Sequence, residues 1–212
     1  MDDKVILSHI DYTLLKPTAT WDQIKDLCDK AVASKTASVC VPAGYVARIH
    51  EEYGDQLNIC TVIGFPLGYS TADTKAFEAK EAIKDGAHEI DTVINVCDVK
   101  NGDFDKVLEE LILLRSVTSG HVLKVIIETC YLTEEEKVKM CGIVTKSGAD
   151  YIKTSTGFGT NGATLDDVKL FKANIGPRVK IKAAGGIRTR EDMESYIEAG
   201  ADRIGASTVP FI

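Results

Sequence analysis

Three six-residue stretches set the strongest limit on what this chain can fold into: Gly86-Ala87-His88-Glu89-Ile90-Asp91, Gly148-Ala149-Asp150-Tyr151-Ile152-Lys153 and Gly200-Ala201-Asp202-Arg203-Ile204-Gly205. Each puts a glycine where a helix needs a left-handed cap and starts a strand two residues later. Reuse of one helix-to-strand joint implies a repeated βα unit, and the copies lie about two such units apart. The rest of the chain agrees. Short β-rich runs are found at His9–Thr13, Ala37–Val41, Asn58–Gly64, His88–Asn95, Val122–Thr129, Asp150–Ser155, Val179–Ala184 and Asp202–Ala206. Helical spacing fills the gaps, as in Trp21, Ile24, Leu27, Cys28 and Ala31, in Leu108, Leu111 and Ile112, and in Met193, Tyr196 and Ile197. Thr20, Thr133 with Glu136, and Thr189 with Asp192 stand where N-caps belong.

Eight such units in 212 residues, with no Pro/Ser-rich linker, predict one α/β domain over residues 1–212, a single-domain (β/α)8 TIM barrel near the short end of its size range. A doubly wound open sheet is the rival. The barrel is favoured by Asp11, Asp91, Lys124, Glu128, Lys153 and Lys182, polar residues within strands that a closed interior would gather and an open sheet would scatter between layers.

Composition narrows the function. A net charge of -7, with acidic residues spread along the chain, leaves no basic stripe for nucleic acid or an anionic membrane, so the expected partner is a small molecule. No apolar run approaches a membrane span, and the opening Met1-Asp2-Asp3-Lys4 is acidic where a secretory signal is basic, so a cytoplasmic location is expected. The six cysteines and four histidines are scattered without zinc or redox spacing. Most of the cysteines are expected to be reduced core fillers, and no metal site is expected.

Lys153 and Lys182 sit inside apolar runs that read as strands. Lysine is rarely enclosed without a partner, because its ammonium loses hydration there. Alternation puts Tyr151, Lys153 and Ser155 on one face, Lys180 with Lys182, and Glu89 with Asp91 and Val93. The two lysines then lie on adjacent strands near the end where barrel active sites form. Amine chemistry needs a neutral amine, and a lysine at its usual pKa of about 10.4 is deprotonated only to a few parts in ten thousand at pH 7. A second ammonium about 5 Å away, at an effective dielectric of ~20, adds about 3 kcal/mol toward losing one proton. The competing reading is two buried ion pairs, Lys153 with Asp91 and Lys182 with Asp11.

Gly157-Phe158-Gly159-Thr160-Asn161-Gly162 fits G-x-G-x-x-G after a strand, but the acidic residue that a dinucleotide ribose requires about 20 residues later falls in the lysine strand instead. These glycines read better as a flexible active-site loop. Gly185-Gly186-Ile187-Arg188-Thr189 and Gly205-Ala206-Ser207-Thr208 follow strands seven and eight, where barrels cradle phosphate, although tight turns would use the same residues. Gly64-Phe65-Pro66-Leu67-Gly68-Tyr69 is a pocket wall or plain loop packing.

Asp11-Tyr12-Thr13-Leu14-Leu15, Val39-Cys40-Val41-Pro42, Val62-Ile63-Gly64-Phe65-Pro66-Leu67-Gly68, Glu89-Ile90-Asp91 with Val93-Ile94-Asn95, Leu123-Lys124-Val125-Ile126-Ile127-Glu128-Thr129, Tyr151-Ile152-Lys153-Thr154-Ser155-Thr156-Gly157-Phe158 and Lys182-Ala183-Ala184-Gly185-Gly186-Ile187-Arg188 follow one another in an order that resembles the deoxyribose-phosphate aldolases, a class I aldolase family. The resemblance covers nearly the whole chain. It implies reversible cleavage of 2-deoxy-D-ribose 5-phosphate to D-glyceraldehyde 3-phosphate and acetaldehyde, in deoxyribonucleotide catabolism, without metal or cofactor. It further implies that Lys153 forms the Schiff base, that Lys182 depresses its pKa, and that Asp91 transfers protons through a water. Asp11 and Lys124 are implied as supporting charges, Gly157, Gly185, Gly186 and Ser207 as phosphate contacts, and Thr156 as a neighbour of the sugar hydroxyls. A homo-oligomer is compatible with the same resemblance. Two departures stand out. Phe158 replaces a phosphate-contacting lysine of some members, which leaves the anion mostly to backbone amides. The sequence also ends at Val209-Pro210-Phe211-Ile212, without the tail tyrosine some members use in proton transfer.

A related imine-forming barrel acting on another sugar phosphate, and a phosphosugar-binding module without turnover, are the alternatives. Retention of Lys153, Lys182 and Asp91 argues against the module.

Overall fold

The computed structural model describes all residues, Met1–Ile212. Eight parallel strands close into a barrel in chain order: β1 (Ile10–Thr13), β2 (Ser38–Val41), β3 (Ile59–Ile63), β4 (Glu89–Val93), β5 (Val122–Ile126), β6 (Tyr151–Lys153), β7 (Lys180–Ala184) and β8 (Arg203–Ala206). Closure, with β8 paired to β1 as well as to β7, excludes the open sheet. Each strand lies within its predicted run, and the runs overshoot most at the carboxyl ends of β4, β5 and β6, where the chain leaves the ladder to build loops. The strands after the three glycine joints begin three residues on, not two.

Nine helices surround the barrel: α1 (Asp3–Leu7), α2 (Trp21–Ser34), α3 (Val46–Tyr53), α4 (Ala72–Lys84), α5 (Val96–Asn101), α6 (Phe104–Val117), α7 (Glu134–Ser147), α8 (Leu165–Asn174) and α9 (Arg190–Ala199). The eight βα units expected from the sequence need correction at three places: α1 precedes β1, β4 is followed by two helices, and no helix follows β8 within the 212 residues. The caps fall where the sequence puts them. Thr20, Thr133 and Thr189 each form a reciprocal capping box, which satisfies amides the first helical turn leaves free. Gly86, Gly148 and Gly200 all have positive φ.

Alternation along the strands separates two interiors. Ile10, Val39, Ile59, Ile90, Val125, Ile152, Ile181 and Ile204 point outward into the helix layer and join one apolar core. The opposite face of the same strands lines the barrel axis. There stand Asp11, Ser38, Cys40, Cys60, Glu89, Asp91, Lys124, Tyr151, Lys153, Lys182 and Arg203, in place of the branched aliphatic layers that usually fill such a barrel. A polar axis must be hydrogen-bonded and charge-balanced to be stable, and that requirement shapes the site.

Candidate active site

Strand register brings the predicted residues together. Asp91 on β4 faces Lys124 on β5, and Lys153 on β6 faces Lys182 on β7. Asp91 is the hub. Its Oδ2 accepts a hydrogen bond from Lys153 Nζ at 2.7 Å and another from Lys182 Nζ at 2.8 Å, while its Oδ1 accepts from Lys124 Nζ at 2.9 Å. Lys182 also pairs with Asp11, and Lys124 with Glu89. Arg203 joins Asp11 to Glu89, and Ser38 Oγ donates to Asp11 Oδ1 at 2.7 Å. Five of the six charges expected to converge, Asp11, Asp91, Lys124, Lys153 and Lys182, therefore belong to one buried network. Both ion pairs of the competing reading are part of it.

The electrostatics follow from who faces whom. Burial alone would push the Asp91 carboxyl up, but the Lys124, Lys153 and Lys182 ammoniums outweigh it and hold it well below the ordinary carboxylate range. Asp11 is depressed in the same way, against burial, by Lys182, Lys124 and Arg203. Burial would pull Lys182 down, yet Asp11 and Asp91 raise it above the usual lysine value, and Asp91 leads the groups that raise Lys124. Asp11, Glu89 and Asp91 are thus matched one for one by Lys124, Lys182 and Arg203. Lys153 is the fourth cation. It is the one cation of the set beyond the three that those carboxylates match.

Exposure separates the lysines. Lys124 and Lys182 have no accessible surface, whereas Lys153 retains 3% and lines a cavity of 330 Å³ at the carboxyl ends of the strands. The expected binding residues Thr156, Gly157, Gly185, Gly186 and Ser207 all border the same cavity. A wider cleft of 530 Å³ between the end of β1 and α2 shares its edge but contains none of the axis charges, so the chemistry belongs to the smaller one. The glycine loops approach each other at backbone distance. Ala163 N–H donates to the carbonyls of Ala184 and Gly185 at 3.0 and 3.1 Å, and a Cβ at Gly162 would lie 2.1 Å from Gly185 O. The Gly157–Gly162 loop is therefore tied to the end of β7.

Several participants were not singled out from the sequence. Lys16 and Arg188 line the cavity and add two cations to its wall. Arg203 has a signal in hindsight, because the three glycine joints align it with Glu89 and Tyr151. All three face the axis, and Arg203 bonds the first and lies 5.5 Å over the ring of the second. Cys60, expected as a core filler, lies within the network, with its thiol 3.2 Å from Asp91 Oδ1. Glu128 does not join the lysines as expected. It lies beyond the end of β5 with φ of +50°, and its carboxylate accepts hydrogen bonds from Thr156 N–H and Thr156 Oγ–H. Burial pushes that carboxyl up, and the Thr156 bonds and Lys153 only partly offset it. Phe158, half exposed, packs edge-on against Phe65 with ring centres 5.3 Å apart, while Pro66 and Leu67 wall a side chamber. The Gly64–Tyr69 loop is thus a pocket wall. No helix is long and apolar enough to cross a membrane.

Comparison with known proteins agrees with this fold. The model of the DeoC/LacD family aldolases matches residues 1–209. A deoxyribose-phosphate aldolase of Clostridium botulinum (strain Alaska E43 / Type E3) is 62% identical over 207 residues, covering 98% of this chain and 94% of that protein. One of Clostridioides difficile (strain 630) is 56% identical, covering 97% and 94%. Among solved structures, the tetrameric deoxyribose phosphate aldolase of Aeropyrum pernix superposes with a TM-score of 0.89 at 30% identity, covering 98% of this chain and 88% of that one.

Proposed function

The chain belongs to the DeoC/LacD family of aldolases, and from that premise we propose the working roles of its site residues in the reversible cleavage of 2-deoxy-D-ribose 5-phosphate to D-glyceraldehyde 3-phosphate and acetaldehyde. The observation that carries the assignment is that Lys153 alone among the three axis lysines reaches the cavity, while sharing one carboxylate oxygen with Lys182. Lys153 is the nucleophile. Its neutral amine adds to C1 of the open-chain sugar and expels water, leaving an iminium. When the C2–C3 bond breaks, its electron pair flows to that nitrogen as an enamine. The C3 hydroxyl gives up its proton and becomes the aldehyde of the departing glyceraldehyde 3-phosphate. Protonation of the enamine at C2 and hydrolysis then release acetaldehyde and restore the amine.

Lys182 stays protonated and supplies the positive field that disfavours a second ammonium beside it. Asp91 anchors both lysines and passes the proton to and from C2 through a water, a general acid–base task. Asp11 and Lys124 complete the balance that keeps Asp91 ionised. Gly157, Gly185, Gly186 and Ser207 receive the phosphate, assisted by Lys16 and Arg188, and Thr156 meets the sugar hydroxyls. Residues 1–212 act as one catalytic domain in the cytoplasm, whose reducing state suits six free cysteines. A homo-oligomer completes the reading, supported by Phe77 and Ile112, which expose 65% and 50% of their surface on the neighbouring helices α4 and α6.

Borohydride reduction in the presence of acetaldehyde tests the central step. A stable two-carbon adduct is expected on Lys153, absent in Lys153→Ala and still formed at high pH in Lys182→Ala. Labelling at any other residue removes the assignment.

A further inference from the structure

Glu128 is one of two non-glycine residues with positive φ; the other, Lys35, is an exposed helix cap. A buried side chain persists in that conformation only where its surroundings hold it. Here Thr129 N–H donates to Thr154 O at 2.9 Å and Tyr131 N–H to Glu128 O at 3.0 Å. Gly159 leaves the room, since a Cβ there would lie 2.9 Å from Cys130 Sγ and 3.2 Å from Glu128 Cδ. The result is a carboxylate clamped on Thr156. Its Oε1 accepts Thr156 N–H at 3.1 Å, and its Oε2 accepts the Thr156 hydroxyl proton at 2.5 Å. The same hydroxyl oxygen accepts Phe158 N–H at 3.0 Å. A threonine hydroxyl has one proton and two lone pairs. With the proton given to Glu128 and one lone pair to Phe158, only a lone pair is left for a ligand.

We infer that Glu128 is a specificity-determining residue: by holding the Thr156 hydroxyl as an acceptor only, it makes the site select an acceptor aldehyde that carries a hydroxyl next to its carbonyl. This rests on the reaction assigned above. Along the chain, Lys153, Thr156 and Gly157 run from the imine to the anion cradle, so Thr156 meets the middle of the substrate. In the condensation direction the aldehyde oxygen has no proton to offer Thr156. The neighbouring hydroxyl of glyceraldehyde 3-phosphate has one. Glu128 itself walls a separate 190 Å³ chamber that Thr156 shares, so it acts through Thr156 as a positioning residue.

The test compares two acceptors with acetaldehyde as donor: D-glyceraldehyde 3-phosphate and 3-oxopropyl phosphate, which lacks the hydroxyl. Glu128→Gln is expected to lower kcat/KM about tenfold for the hydroxylated acceptor, in line with loss of a hydrogen bond to a charged group, and less than twofold for the other. Glu128→Gln combined with Thr156→Val should be no worse than Thr156→Val alone. Gly159→Ala combined with Cys130→Ala, which removes the thiol the new Cβ would meet first and leaves it against the carboxylate, is expected to give the same selective loss relative to Cys130→Ala and serves if Glu128→Gln does not fold. Equal losses on both acceptors, or none, overturn the role of Glu128 while the aldolase reading stands. A wild-type protein that joins neither acceptor to acetaldehyde overturns both.

Discussion

At the scale of single residues, the site depends on how four cations share three carboxylates. Lys182 and Lys153 donate to one oxygen of Asp91, so whichever amine holds its proton more firmly sets the state of the other. Asp11 decides the contest in favour of Lys182 by giving it a second carboxylate. Replacing Lys182 with leucine leaves Lys153 as a principal partner of Asp91 Oδ2 and removes a positive neighbour worth about 3 kcal/mol at ~5 Å and an effective dielectric of ~20. Turnover of deoxyribose 5-phosphate at pH 7 is then expected to fall about 100-fold, the equivalent of that energy, with the rise of the pH–rate profile displaced to higher pH. The profile of kcat against pH checks this, alongside a thermal melt to confirm folding. An unchanged profile would mean that the two amines are not coupled.

At the scale of elements, the loops that follow β6 and β7 work as one piece, because their backbones touch at Gly162 and Gly185. Neither position tolerates a Cβ. At Gly162 it would strike Gly185 O, and at Gly185, where φ is +90°, it would lie 2.9 Å from Gly162 Cα. Gly162→Ala is therefore expected to push the two loops apart, raising KM for deoxyribose 5-phosphate about tenfold, of the order of one charge-assisted hydrogen bond. Cleavage of unphosphorylated 2-deoxyribose should change little. Steady-state kinetics on the two sugars decide it, and equal losses on both would mean that the loops do not hold the phosphate. How much of this was legible in sequence depends on whether the signal is local. Glycine joints at residues 86, 148 and 200 repeat a short-range pattern, and the period-two alternation that follows each one placed Asp91 and Lys153 on the axis correctly. Glu128 failed because the same alternation, carried two residues past the real end of β5, cannot register a left-handed turn at a non-glycine residue. Lys16 and Arg188 reach the cavity from loops, where no periodicity constrains a side chain. Contact between Gly162 and Gly185 exists only once the barrel has closed.

At the scale of the whole molecule, the barrel stores its ionic chemistry where most such folds place aliphatic packing, and its stability must therefore answer to pH. Asp11 and Asp91 carry pKa values depressed below the ordinary 3.8. The stability they contribute is present above the unfolded value and is lost as pH falls below it toward the folded ones. Lys124 and Lys182 are raised above 10.5, so their contribution is complete below that pH and lost as pH rises through the folded values. Glu110 and Glu128, which burial raises above 4.5, oppose the first trend because their neutral forms are favoured in the fold. Asp11 and Asp91 are the more deeply enclosed and hold the lysines in place, so their loss should dominate. The melting temperature is expected to stay level from about pH 5 to pH 9 and to drop steeply below pH 4, where the unfolded carboxylates begin to bind protons. Lys124→Met probes the same network at neutral pH. It leaves Asp91 Oδ1 without its cation and Glu89 with Arg203 alone, and removing one partner of a buried pair typically costs about 3–5 kcal/mol. For a chain of this size that corresponds to roughly 10 °C in Tm. Calorimetry across pH on both proteins tests the two expectations together: if the axis charges carry the acid sensitivity, the variant, already missing a partner for Asp91, will lose less on acidification than the parent. Parallel curves would move the origin of acid unfolding from the barrel axis to the surface.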